Sequence, residues 1–378
     1  MKIGIVCFPT YGGSGVVATE LGKSLADHGH EVHFFSYDYP FRLNVFSENI
    51  FFHELNTVDY PLFIGKPYDL ALTSKIIDVA KHEKLDLLHV HYAIPHSVSA
   101  FLAKQILKED DYYLPVITTL HGTDINLIGK DPSIQPVVEF VLNQSDVLTA
   151  VSKSLMQNTF NHFKVNKEIQ VISNFIDFSL FNFDQNKIDK YRSKFAQAEQ
   201  SIIIHVSNFR KVKRVDDTLK VFAKTSKDIN AVMLMVGDGP ERQHVEDLTR
   251  SLNLSNVVFL GKARSVELLL SISDLFLLTS SSESFGLSAL EAMAAKTPVI
   301  SSNIGGLPDI NIHNKTGFLC DVGDVEGMAN QAIKLLNDAD MLDEFKMNAF
   351  EHAKNFSIEN IYPIYEQLYT DLLGSKNV

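Results

Sequence analysis

The chain has 378 residues, 45% of them hydrophobic and 21% charged: room for two ordinary domains, with the composition of a soluble globular protein. Its 34 Lys and Arg against 46 Asp and Glu leave a net charge of −12. That balance argues against nucleic-acid partners and anionic membranes, and an anionic ligand would need a local basic pocket. Two cysteines, Cys7 and Cys320, lacking CxxC spacing, argue against a disulfide framework and a cysteine zinc site.

The N-terminal "MKIGIVCF" is too short for a signal-peptide core, and no apolar run approaches about 18 residues. A cytoplasmic protein without a membrane anchor is expected. In chain order, "KIGIVCF" reads as a buried strand, "GVVATELGKSLADHG" as an amphipathic helix and "HEVHFFSY" as a second strand. The apolar strands "DLLHVHY", "LPVITTLHG" and "SDVLTAVS" follow, with the helix "SVSAFLAKQIL" among them. The pattern restarts at "SIIIHVSNF", then "VDDTLKVFAKTS", "NAVMLMVGDG", "RQHVEDLTRSLNL", "NVVFLGK", "SVELLLSISD" and "LFLLTSSS". Strands alternating with helices imply parallel sheets covered on both faces. Two such runs predict two Rossmann-like domains, 1–172 and 173–357, with a linker near 173–200. A last helix at about 358–378 could pack on either domain, back on the first among them.

Three loops carry candidate chemistry. In "PTYGGSGVVATE", Gly13, Gly15 and Ala18 fit G-x-G-x-x-[G/A] between strand and helix, a backbone cradle for a phosphate or carboxylate. Asp38, 20 residues beyond Ala18, stands where a ribose-binding acid would, so this loop alone permits an NAD-dependent dehydrogenase. Equally, the glycines could simply make a tight turn. In "SNFRKVKR", Arg210, Lys211, Lys213 and Arg214 form a cationic loop suited to a diphosphate, or else a solvated basic turn.

The third loop is "ESFGLSALE". Glu283 lies beyond the C-terminal end of "LFLLTSSS", where open α/β sheets bind ligands, and Gly286 permits a turn into a helix. The amides of Phe285, Gly286 and Leu287 suit a pyrophosphate, Glu291 suits ribose hydroxyls and Glu283 a further sugar. A sugar nucleotide satisfies all of them. The plain alternative is a cap at Glu283 and a solvated Glu291. His89, His91, His96, His121 and Asp124 could in principle gather a metal, but the cationic loop already supplies that charge, and no metal or other cofactor is expected. "DAD" at 338–340 reads as solvated surface.

E-x7-E with Phe-Gly inside resembles the signature of the family 4 retaining glycosyltransferases. "GGSG", "HVHY", "TLHGTD", "VSNFID", "VGDGP" and "IGGLPDI…TGFL" add ordered matches along almost the whole chain. The resemblance implies a GT-B fold, α/β with two Rossmann-like domains whose parallel sheets face across a deep cleft. Further matches, including "PFRLN", "HVHYAIPH" and "SNFRKVKRV", resemble the branch that transfers N-acetylglucosamine from UDP-GlcNAc to L-malate, the first step of bacillithiol synthesis. Carried over by motif, Glu283 would bind donor-sugar hydroxyls, Glu291 the ribose and Lys213 the diphosphate.

Where the family often has Arg, five positions before that Lys, this chain has Asn208. Arg210 would then supply the second cation, and Asn208 would turn to the acceptor. His121 would sit near the donor sugar, and Gly13, Ser14 and Gly15 at the β-phosphate or a malate carboxylate. Tyr92 and Thr119 would contact the acceptor. A lipid or polysaccharide acceptor is the main rival, although "SKIIDVAKHEKLD" lacks the basic face expected of a membrane-surface helix. A sugar-nucleotide sensor would share every binding motif. Homo-oligomerisation stays open.

Overall fold

The computed structural model describes residues 1–10, 12–43, 47–57 and 65–374. Tyr11 of the first loop, Asn44 of "PFRLN" and the tail 375–378 lie outside the described residues. The chain divides into two compact units, Met1–Phe175 with Ile358–Val378, and Ile176–Ser357.

Among the described residues the first unit holds seven strands: β1 (Lys2–Val6), β2 (Glu31–Ser36), β3 (Ile50–Glu54), β4 (Leu87–His91), β5 (Val116–Leu120), β6 (Val147–Ala150) and β7 (Ile169–Val171). All neighbours pair in parallel, in the order β3-β2-β1-β4-β5-β6-β7. β1, β4 and β5 are buried along nearly their whole length because helices cover both faces of the sheet. On one face Val6, Phe35, Leu88 and Val90 pack with Leu72 and Ile76 of the helix Tyr68–Val79 and Ala103 and Leu107 of the helix Val98–Glu109. The C-terminal helix Ile358–Gly374 packs beside the first helix, Gly13–Asp27. It buries Tyr365 and Tyr369 completely, and the Tyr369 hydroxyl lies 2.7 Å from His89 Nδ1.

The second unit holds six strands: β8 (Ser201–Val206), β9 (Ala231–Val236), β10 (Val257–Gly261), β11 (Leu275–Leu278), β12 (Val299–Ser302) and β13 (Gly317–Cys320). They pair in parallel in the order β10-β9-β8-β11-β12-β13. Each sheet therefore begins in the middle, grows to one side and then crosses to the other. The reversal falls between β1 and β4 in the first unit and between β8 and β11 in the second. Beyond the carboxyl ends of such strands lies the ligand-binding crevice of open α/β sheets.

Two features escape the sequence pattern. The stretch 173–200 is not aperiodic linker throughout, for it contains the helix Gln185–Arg192, capped by Asp184, whose carboxylate accepts the Lys187 N–H at 2.9 Å. That helix buries none of its residues, so it shows no apolar stripe. In "DAD", Asp338 is a helix cap that accepts the Met341 N–H at 3.0 Å. Both cysteines are free.

Candidate active site

In the second unit, the loops after β8 and β11 meet at the reversal point. Lys213 Nζ lies 2.5 Å from Glu283 Oε1, with the two side chains 19% and 10% exposed. Ser280 Oγ donates to the same carboxylate oxygen at 2.8 Å. The loops are joined again where the Ser281 N–H donates to the Val212 carbonyl at 2.8 Å and Thr279 Oγ1 donates to the Arg214 carbonyl at 2.9 Å. The four cations of the basic loop are not equivalent. Arg214 is committed to Asp217 through its Nε at 2.6 Å, whereas Arg210 and Lys211 are exposed, as is Asn208. Of the four cations of this loop, Lys213 is the one fixed against Glu283.

Phe285 is buried and meets Phe356 edge to face at 5.9 Å. Gly286, at φ +96°, is the cap of the helix Leu287–Ala294, and Glu291 lies on that helix, half-buried. The amides of Phe285, Gly286 and Leu287 have no helical carbonyl one turn behind them and carry the positive end of the helix dipole. Sequence reasoning missed the group that supports Glu283 from behind. The Gly306 N–H donates to the Glu283 carbonyl at 3.0 Å, and a Cβ on Gly305 would stand 1.8 Å from that same oxygen.

In the first unit, Gly13 and Ser14 open the first helix, and Ser14 Oγ donates to the Tyr92 hydroxyl at 3.0 Å; Gly15 is buried in the same turn. This bond joins the loops after β1 and β4. Tyr92 holds φ +92°, a region that non-glycine residues rarely occupy and that tends to mark functional sites. Its ring lies 5.3 Å from that of His121, whose Nε2 is 2.8 Å from His91 Nδ1. Burial pushes the His121 pKa down to about 3, so the ring is neutral near pH 7.

Asp124, fully buried, accepts the N–H groups of Ala93 at 2.8 Å, Gly122 at 2.8 Å and His121 at 3.3 Å, and so ties the loop after β4 to the loop after β5. Desolvation raises its pKa, against the pull of those N–H groups. Thr119, expected at the acceptor, is instead wholly buried, with its hydroxyl 2.6 Å from both His89 Nε2 and Thr149 Oγ1. The strand's alternation turns it into the sheet packing rather than toward the exposed edge.

The metal set drawn from His89, His91, His96, His121 and Asp124 is not assembled. His91 and His121 bond to each other, His89 bonds Tyr369 and Thr119, and His96 lies against the His91 carbonyl and, at 3.0 Å, the Tyr68 hydroxyl. Among the described residues, Glu31, His33 and Glu83 are the group whose ligand atoms lie close enough to share an ion. They sit toward the N-terminal end of β2, away from the loops above, and Lys2 Nζ already lies 2.6 Å from Glu31.

Two parallel sheets of this order, each with a polar loop cluster at its reversal point, define a glycosyltransferase of the two-domain GT-B class. Residues 11–180 match the profile of Glycosyltransferase Family 4, and residues 187–352 match that of the glycosyl transferases group 1. The chain is 48% identical to the N-acetyl-alpha-D-glucosaminyl L-malate synthase of Bacillus anthracis, over 99% of this chain and 97% of that one. It is 25% identical to a D-inositol 3-phosphate glycosyltransferase of Corynebacterium glutamicum, over 82% of this chain and 78% of that one. Among solved structures, Anabaena HepE in complex with UDP-glucose superposes with a TM-score of 0.83 at 21% identity, covering 99% of this chain and 100% of that one. A sucrose-phosphate synthase from Thermosynechococcus elongatus gives 0.82 at 21% identity, with the same coverage. The chain belongs to the family 4 glycosyltransferases. The dehydrogenase reading of the first loop is thereby corrected: a glycine-rich strand–helix turn serves any anionic group, not only that of a dinucleotide.

Proposed function

We propose that the protein transfers N-acetylglucosamine from UDP-GlcNAc to the hydroxyl of L-malate, with retention of configuration, as the opening step of bacillithiol synthesis. The observation that carries this reading is the full-length likeness to the malate synthase of Bacillus anthracis. In this reading the second unit holds the donor. Glu291 accepts from the ribose hydroxyls, the amides of Phe285, Gly286 and Leu287 meet the diphosphate, and Lys213 and Arg210 balance its charge. Glu283, already fixed by Lys213 and Ser280, accepts from hydroxyls of the sugar.

The first unit supplies the remaining contacts. Neutral His121 serves the donor sugar, the turn Gly13–Ser14–Gly15 serves the β-phosphate or a malate carboxylate, and Tyr92 serves malate; on the second unit, Asn208 is the residue assigned to the acceptor. Thr119 acts only through the buried network behind His121. In the reaction the bond from the anomeric carbon to the phosphate oxygen breaks and the bond from that carbon to the malate oxygen forms. The malate hydroxyl proton passes to the departing phosphate of UDP, whose charge Lys213, Arg210 and the helix amides stabilise. No metal takes part, and the protein works in the cytoplasm on small molecules.

The test is incubation of the purified protein with UDP-GlcNAc and L-malate in EDTA, with UDP release and product mass as readouts. A product with the mass of N-acetylglucosaminyl malate is expected. UDP release only with a lipid or polysaccharide acceptor would keep the transferase and remove malate. Binding of UDP-GlcNAc with no turnover on any acceptor would leave a sensor.

A further inference from the structure

β8 and β11 pair only briefly, Ile203 with Leu275 and Ile204 with Phe276. Just past the last pair a side chain takes over the connection between the two strands. His205, fully buried, places Nδ1 2.9 Å from the Leu277 carbonyl oxygen. Its Nε2 lies 2.8 Å from Ser207 Oγ, and Ser207 Oγ lies 3.3 Å from the Phe209 amide nitrogen.

The partners fix the direction of every bond. A carbonyl can only accept, so Nδ1 carries the ring proton. Burial pushes the His205 pKa down to about 4, so near pH 7 the ring is neutral and Nε2 is a bare lone pair. Nε2 therefore accepts the Ser207 O–H, and the Ser207 oxygen is left to accept the Phe209 N–H. This is the one arrangement that satisfies all three contacts. It runs as an ordered chain from the end of β11 to the middle of the basic loop.

Phe209 is where the loop needs support. It is fully buried at φ +35°, a conformation that non-glycine residues rarely adopt and that persists only when its surroundings hold it. Its N–H is held by Ser207, and its carbonyl accepts the Glu241 N–H at 2.9 Å. Asn208 and Arg210 flank it and are exposed, so their direction follows from the backbone of Phe209. The Arg210 carbonyl in turn accepts the Lys213 N–H at 2.8 Å, which carries the same restraint to the residue that grips Glu283.

We propose that His205 and Ser207 are positioning residues: a fixed-tautomer relay that sets the basic loop Ser207–Lys213 for the diphosphate of the nucleotide donor. The proposal rests on the donor-binding reading of that loop. Neither residue touches the donor in this scheme. Each acts through the backbone it holds. A relay of this kind reduces the ordering cost of binding, because the cations are already aimed before the anion arrives.

The alternative is that His205 merely fastens two strands. Then its loss would lower stability and leave the ligand affinity of the folded protein unchanged. The test is calorimetric titration with UDP on the folded, full-length protein carrying four sets of changes. Ser207→Ala removes the middle of the relay without opening the core, and His205→Asn keeps a donor near the Nδ1 position but loses the acceptor for Ser207. His205→Gln places a carbonyl near the Nε2 position and restores that acceptor. The fourth protein combines His205→Asn with Ser207→Ala.

Loss of the relay is expected to raise the Kd for UDP about tenfold in Ser207→Ala and in His205→Asn, the scale of one hydrogen bond. His205→Gln should stay within about threefold of the wild type, and the double variant should be no weaker than either single one, because both break the same chain. A Ser207→Ala protein that binds UDP like the wild type, or penalties that add in the double variant, would overturn the proposal alone. A wild-type protein that binds no UDP would remove the donor-site reading as well. Nitrogen-15 NMR of the His205 ring gives a separate check: Nδ1 must carry the proton, and a proton on Nε2 overturns the relay whatever the affinities.

Discussion

Lys213 and Glu283 show how one contact can serve two states. At 2.5 Å, with little of either side chain exposed, the pair is better shielded than a surface ion pair, yet both charges have given up water to form it. In the proposed donor site, a diphosphate beside Lys213 would add a second anion to the same ammonium and leave Glu283 acceptor capacity for sugar hydroxyls. Lys213→Ala should therefore lower kcat/KM by about 100-fold or more, the usual scale for losing one preorganised charge partner in a transition state. Lys213→Arg should restore only part of this, since a planar fork does not reproduce a point charge held by one carboxylate oxygen. Initial rates at varied UDP-GlcNAc decide it. An unchanged kcat/KM in Lys213→Ala would remove Lys213 from the donor site. Thr119 carries the opposite lesson. Its hydroxyl looked available at the end of an apolar strand, but the pleat turns it into contact with His89 and Thr149.

At the scale of elements, the strand–loop–helix unit from Leu275 to Ala294 was legible because its signals are local: an apolar run, a Phe-Gly turn, then a helical pattern. What lies behind it was not, because the partners are far apart in sequence. His205 meets Leu277 across 72 residues, and nothing near Gly305 in the chain announces that it backs onto Glu283. The strand Ile50–Glu54 was missed for another reason. It is an edge strand whose residues are exposed or half-buried, so it lacks a buried run. The helix Gln185–Arg192 buries nothing and so has no stripe to read. Gly305 turns the hidden packing into a test. It sits at φ +60°, and an added Cβ would stand 1.8 Å from the Glu283 carbonyl oxygen, a backbone atom that cannot swing aside. Gly305→Ala should cost about 2 kcal/mol or more in urea unfolding, from left-handed strain and forced backbone movement together. It should also weaken UDP binding, because displacing Glu283 moves the Lys213 ammonium that it holds. Loss of stability with unaltered UDP affinity would show that the Gly305 turn supports the fold and not the site.

Across the whole molecule, the two units should respond differently to acid, because buried imidazoles are shared unequally between them. The first unit holds His89, His91, His96 and His121 in mutual contact, all buried. Desolvation pushes His89 and His121 down to about 3 and His96 to about 4, and His91 lies well below the ordinary histidine value. The second unit has His205 at about 4 from full burial and His352 lowered by partial burial. In the unfolded chain each ring takes a proton near pH 6.5. Between that value and the folded pKa the unfolded state binds more protons, so stability falls as pH falls, by up to about 1.4 kcal/mol per pH unit for each such histidine. Asp124 and Asp69 act in the other direction, since burial raises their pKa, while His33 and His53, lowered by burial too, add to the histidine side. Hydrogen exchange read by peptide mass spectrometry at pH 7.5, 6.5, 5.5 and 4.5, corrected for intrinsic rates, follows each unit separately. Protection in β1, β4 and β5 should fall steeply below pH 6.5, while protection in β8, β9 and β11 declines more gently. Equal slopes in the two units, or a flat profile in the first, would mean that its histidines are charged in the folded protein or that buried water reaches them.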